Sequence, residues 1–138
     1  MNVCLIDAGP MVALFDRNHR FHAHFRSHVV DTPAAPQLHT TWPCVTEATD
    51  LLNPGERLAL LKWIGKGALQ VSTFDAPELL QMCRWIQQYT QPPRTTMDLA
   101  DASLYWLANA SGITRIFTMD VRDFLRYRLP GGRAFEIL

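Results

Sequence analysis

The sequence has no apolar run approaching the roughly 20 residues that span a bilayer, which excludes a membrane-spanning helix. Cysteines are few: Cys4, Cys44 and Cys83 are odd in number, far apart and free of any CxxC pair. That excludes a disulfide framework or a zinc knuckle and fits a reducing compartment. The opening MNVCLID lacks a basic stretch, and Asp7 breaks its apolar run too early for a secretory leader, so a cytoplasmic location is expected. Net charge is missing too. Lys+Arg and Asp+Glu number 13 each, so no overall field draws in a polyanion, and nucleic acid must be held by local patches. Lysine is scarce, with only Lys62 and Lys66 close together mid-chain. A phospho-accepting receiver domain needs paired acids early and a lysine after a late strand, so this placement counts against one. Repeats, low-complexity segments and a dividing linker are also absent. Residues 1–138 therefore read as a single domain, long enough to bury roughly two thirds of its unfolded surface without disulfides or structural metal.

What is present is globular: 48% hydrophobic and 19% charged residues. Val3–Ile6 is a short apolar run ended by Asp7 and Ala8-Gly9-Pro10, which suits a buried strand breaking into a turn, with Pro10 opening a helix to Phe15. A helix is expected over 19–30, a strand over 38–41, helices over 43–52 and 56–66, and a strand over 69–73. Asp75 before Ala76-Pro77-Glu78 caps a helix to Tyr89. A loop over 90–96 precedes a helix over 98–110, then strands over 113–118 and 134–138. Strands alternating with helices predict an α/β fold, a central parallel sheet covered on both faces. In such sheets ligands bind beyond the carboxyl ends of the strands. Asp7 and Asp120 both fall there.

Four segments carry acids in apolar surroundings: Asp7 in CLIDAGP, Glu47 in WPCVTEATDLL, Asp98 and Asp101 in MDLADASLYWLA, and Asp120 with Asp123 in FTMDVRDF. Asp98 and Asp101, three apart, share one helix face, where two like charges disfavour the helix unless neutralised. Each acid alone has an ordinary reading as a cap, a turn former or an Arg partner. Together they have one common cause, a hard divalent cation such as Mg²⁺ or Mn²⁺, which takes oxygen ligands. Thr118, two residues before Asp120, stands where a hydroxyl can hydrogen-bond a ligand carboxylate.

With these segments in order, the chain resembles the PIN-domain family, and within it the VapC-type toxins of bacterial toxin–antitoxin pairs. The likeness runs through VCLIDAGPMVALFD, TTWPCVTEATDLL, DLADASLYWLA and ITRIFTMDVRDF and covers nearly the whole chain. It implies a three-layer α/β/α sandwich and an endoribonuclease dependent on Mg²⁺ or Mn²⁺, leaving 5′-phosphate and 3′-hydroxyl ends. By the same resemblance the catalytic acids fall on Asp7, Glu47, Asp101 and Asp120, with Asp98 and Asp123 as further metal-site acids; Asp101 and Asp120 are favoured within their pairs. Partners implied are RNA, an antitoxin protein and a second copy in a homodimer. An RNA-processing nuclease of the same fold, or an inert RNA-binding module, are the competing readings.

Of the Arg residues crowding the C-terminal quarter, Arg122 and Arg126 are candidates for RNA phosphate contact, against an ordinary solvated face. His19, His22, His24 and His28 lie close together but lack a Cys or carboxylate that completes a zinc pattern, so solvated or half-buried histidines are expected. Trp42, Trp63, Trp85 and Trp106 are expected to pack in the core or an interface. Leu58, Leu61 and Ile64 form an apolar helix face, suited to a partner or to the core.

Overall fold

A computed structural model describes residues 2–138. Its elements in chain order are β1 (Val3–Ile6), α1 (Ala8–Phe15), α2 (His22–Val29), β2 (Gln37–Thr41), α3 (Trp42–Leu51) and α4 (Pro54–Gly65). There follow β3 (Leu69–Ser72), α5 (Ala76–Tyr89), α6 (Leu99–Ser111), β4 (Arg115–Phe117), α7 (Val121–Arg126) and β5 (Glu136–Ile137). All strand pairs are parallel and the order across the sheet is β3-β2-β1-β4-β5. The expected α/β/α architecture is therefore the one observed.

Local chemistry explains most boundaries. Asn53 and Glu56 form a reciprocal capping box that starts α4, and Asp75 with Glu78 forms another that starts α5. Gly112 ends α6 in the left-handed conformation, at φ 78°, where a Cβ would be strained. Helix α1 begins at Ala8, before the expected Pro10, because the Asp7 side chain accepts from the Ala8 amide at 2.8 Å and supplies the cap. Helix α7 lies between the strands expected over 113–118 and 134–138, where the sequence predicts no element. It is too short to show a helical period and is held by Phe124, fully buried beneath it.

The chain lays down β1, moves outward through β2 to β3, then returns to the other side of β1 for β4 and β5. The direction of winding thus reverses between β1 and β4, and a crevice opens at their carboxyl ends. The register there pairs Leu5 with Ile116 and Ile6 with Phe117, so the next residues, Asp7 and Thr118, stand side by side. The core beneath holds Leu5, Ile6, Met11, Leu104 and Ile116. An aromatic group of Tyr89, Tyr105, Phe124, Tyr127 and Phe135 packs in edge-to-face and tilted pairs where α5, α6 and α7 meet.

Two apolar groups depart from simple core packing. Trp63, Trp85 and Trp106 pack against the core, but Trp42 is 48% exposed. Leu58 and Leu61 are exposed, so core burial does not account for that face of α4, whereas Ile64 packs inward. The histidines are engaged locally: His22 and His28 each place Nδ1 at 2.7 Å from a backbone carbonyl, of Ala13 and His24. Among the described residues no helix is long and apolar enough to cross a membrane.

Candidate active site

At the carboxyl end of the sheet lies a cleft of about 350 Å³, lined by Asp7, Ala8, Gly9, Glu47, Leu51, Asp98, Asp101, Met119 and Asp120. Five of those nine residues are acids and none is a base. Chain topology brings them together. Asp7 follows β1, Asp120 follows β4, Glu47 projects from α3, and Asp98 and Asp101 open α6. Asp123, from the first turn of α7, does not line the cleft. Its carboxylate nonetheless comes within 4.8 Å of oxygens of Asp101 and Asp120. The structure thus draws all six expected acids to one end of the sheet.

Three of these acids also serve as helix caps or stand at cap positions. Asp7 precedes α1, Asp98 precedes α6 and accepts from the Asp101 amide at 2.8 Å, and Asp120 precedes α7. The capping and clustering readings of these acids are therefore not alternatives. In a parallel sheet every strand ends on the side where the next helix begins, so N-caps gather at the crevice. The converging helix N-termini place partial positive charge near the carboxylates, each a stabilisation of about 0.3–1 kcal/mol.

That compensation is partial. Asp7 is 7% exposed and Asp101 is 6% exposed. Burial raises the pKa of Asp7, against hydrogen bonds from the Ala8 amide and Thr118 that lower it. Burial and the neighbouring Asp98 charge push Asp101 up to about 8. Asp120 rises to about 6 through burial and then its hydrogen bond and charge interaction with Asp123. Glu47 rises through burial and the charges of Asp98, Asp7 and Asp120. Among the described residues none of these four makes an ion pair with Arg or Lys. Neutral hydroxyls hold the two buried ones, Asp7 and Asp101, instead. Thr118 donates to Asp7 Oδ2 at 2.9 Å while accepting from the Asp120 amide at 2.9 Å, so one side chain ties the ends of β1 and β4. Tyr127 donates to Asp101 Oδ2 at 2.7 Å.

A set of carboxylate oxygens without its own cation suits a hard divalent ion in donor type and in charge. Asp123 is the exception. Arg126 Nε donates to its Oδ1 at 3.2 Å, and Nη2 lies at 3.2 Å from the same oxygen without hydrogen-bond alignment.

Arg126 is thereby turned inward. Its guanidinium lies over the rings of Tyr127 at 5.0 Å and Tyr89 at 5.6 Å. Of the two arginines considered for RNA contact, Arg122 is the exposed one and makes none of the ion pairs found among the described residues. Arg126→Ala is expected to lower stability by about 1–2 kcal/mol through lost packing and an unpaired Asp123. Arg122→Ala should leave the melting temperature unchanged. Thermal and denaturant melts of both variants check this.

Sequence reasoning did not single out Tyr127, which lies 26 positions from Asp101 in a segment without local signal. Nor did it single out Gly9 and Met119, whose close approach lines the cleft; a Cβ at Gly9 would stand 3.1 Å from the Met119 sulfur. The Asp123–Arg126 pair was readable in principle, being an i,i+3 spacing on a helix.

No protein-family model matches the chain, and no curated protein matches it. Among solved structures it is similar to Mycobacterium tuberculosis VapC20, described as a toxin that cleaves the sarcin–ricin loop. The TM-score is 0.69 at 16% identity, over 87% of this chain and 92% of that one. At that identity the likeness shows the fold, an α/β/α sandwich of PIN type.

Proposed function

We propose that this protein is a divalent-cation-dependent endoribonuclease acting as the toxin of a toxin–antitoxin pair, with Mg²⁺ or Mn²⁺ as cofactor. The observation that carries the reading is the cleft itself. Five acids from four separated segments meet at the point where the sheet reverses, two of them buried, with no basic residue among them. Capping gives a structural reason for Asp7, Asp98 and Asp120 but none for Glu47 or the buried Asp101, whose charges add to a repulsion that opposes folding. The fold shared with a sarcin–ricin-loop-cleaving toxin supports RNA as the substrate and an antitoxin as partner; a homodimer and a cytoplasmic setting belong to the same proposal.

In this reading Asp101, Asp120 and Asp123, whose oxygens lie within 4.8 Å of one another, form the cation site together with Asp7 and Glu47, and Asp98 adds negative charge at the rim. A bound divalent ion supplies activation of water and neutralisation of charge on the phosphodiester. Thr118 keeps Asp7 oriented and positions the Asp120 backbone.

Purified protein with structured RNA should cut in Mg²⁺ or Mn²⁺ and stop cutting in EDTA. Asp7→Asn should reduce cleavage about 100-fold or more, a loss of roughly 3 kcal/mol in transition-state stabilisation. Undiminished cleavage by that variant, or by wild type in EDTA, rejects the proposal.

A further inference from the structure

We infer that Tyr127 is a positioning residue of the acidic cleft: its hydroxyl occupies one oxygen of Asp101 and leaves the other as the one that Asp101 offers to a cation. The inference rests on the reading of the cleft as a cation site and adds the device that orients one of its ligands. Tyr127 is 0% exposed, and its hydroxyl lies 2.7 Å from Asp101 Oδ2. The ring has no freedom to swing away. Phe124 stands at 5.1 Å, Tyr89 at 5.0 Å and Tyr105 at 6.4 Å between ring centroids, all edge to face, and the Arg126 guanidinium covers it at 5.0 Å. A side chain so enclosed donates along a fixed direction, so it fixes the carboxylate that receives the bond.

The placement of Tyr127 in the chain gives the contact a second consequence. Helix α7 follows Asp120 and ends at Arg126, with Tyr127 as its C-cap. The Tyr127–Asp101 bond therefore ties the far end of α7 to the first turn of α6. It helps set the separation of Asp101 and Asp120, whose oxygens lie within 4.8 Å of each other. Thr118 does the equivalent for Asp7 and Asp120. Each of the two buried carboxylates is thus oriented by a neutral hydroxyl, which fixes geometry without neutralising the charge a cation needs. An Arg in either place would have competed with the cation.

The test compares wild type, Tyr127→Phe, Tyr105→Phe and Asp7→Asn as full chains, measuring Mn²⁺ binding by calorimetry without RNA, together with metal-free melts. Tyr105 lies in the same aromatic group, but its hydroxyl donates to the Arg128 carbonyl and not to an acid, so Tyr105→Phe reports the loss of a buried hydroxyl that touches no acid. Tyr127→Phe should weaken Mn²⁺ binding about tenfold or more, the usual effect of losing a partner of a ligand, while Tyr105→Phe stays within about twofold. Equal weakening by both tyrosine variants, alongside equally lowered melts, would overturn the inference in favour of packing. Tyr127→Phe binding like wild type, while Asp7→Asn has lost Mn²⁺, overturns this inference alone and leaves the proposed function standing. Wild type that binds no Mn²⁺ overturns both.

Discussion

Asp101→Asn is expected to abolish cleavage and at the same time to raise the melting temperature of the metal-free protein at pH 8. Asp101 is buried, faces Asp98, and has its pKa pushed up to about 8 in the folded protein, against 3.8 for an ordinary Asp. The folded state therefore holds a proton on Asp101 over a range where the unfolded state has released it. Below about pH 4 both states are protonated, and the group does not weaken the fold. As pH rises through 8, folding must first hold that proton and then bury the bare charge, so stability falls across the whole interval. At about 1.4 kcal/mol per pKa unit the full effect reaches on the order of 5 kcal/mol at pH 8. Asparagine removes the charge while its side-chain carbonyl can still accept the Tyr127 hydroxyl. A gain of about 2–4 kcal/mol is expected, or roughly 5–15 °C. Thermal melts of wild type and variant in EDTA at pH 5 and pH 8 measure it. The gap should narrow to about 1–2 kcal/mol or less at pH 5, and a variant less stable than wild type at pH 8 would contradict the electrostatic account. Stability gained where activity is lost marks a site held against its own repulsion.

The second large effect is the response to a divalent cation. Mn²⁺ or Mg²⁺ in EDTA-free buffer should stabilise the protein strongly at pH 8 and weakly at pH 5. The cation must displace protons from Asp101 and from Asp120, whose pKa is raised to about 6, so its apparent affinity falls as pH drops through both values. Binding at 100 times the dissociation constant adds about 2.7 kcal/mol. The wild-type melt should therefore rise by several degrees at pH 8, opposing the metal-free decline, while Asp7→Asn should show little shift at either pH. An equal shift at both pH values would mean that the cation binds elsewhere.

Much of the fold was legible because it is written in short-range chemistry. The apolar runs at Val3–Ile6 and Leu69–Ser72, the Asp75–Glu78 capping box and the Gly112 stop are each local signals, and each falls close to the expected boundary. Parallel pairing followed from strands alternating with helices. Less legible was α7, which exists through tertiary packing of Phe124 and not through any period of its own, whereas β5 falls inside the strand expected over 134–138 and is only shorter. Arg126 is instructive in the same way. A cluster of arginines in the sequence suggests a surface for phosphate, yet Asp123 and two tyrosine rings draw Arg126 inward and leave Arg122 outside.

The sequence by itself determined the class of fold and named the six acids, because residue type, spacing and strand-end position are properties of a chain read one segment at a time. Which acids share a cleft, which oxygen each presents and which side chains hold them are relations across 26 to 111 positions. Only the tertiary structure decided those. The β1–β4 register sets Asp7 beside Thr118, the packing of α7 on α6 sets Tyr127 on Asp101, and Arg126 takes up one oxygen of Asp123. Hydrogen bonds and Coulomb forces act over a few ångströms, and the folded chain alone determines which residues lie that close.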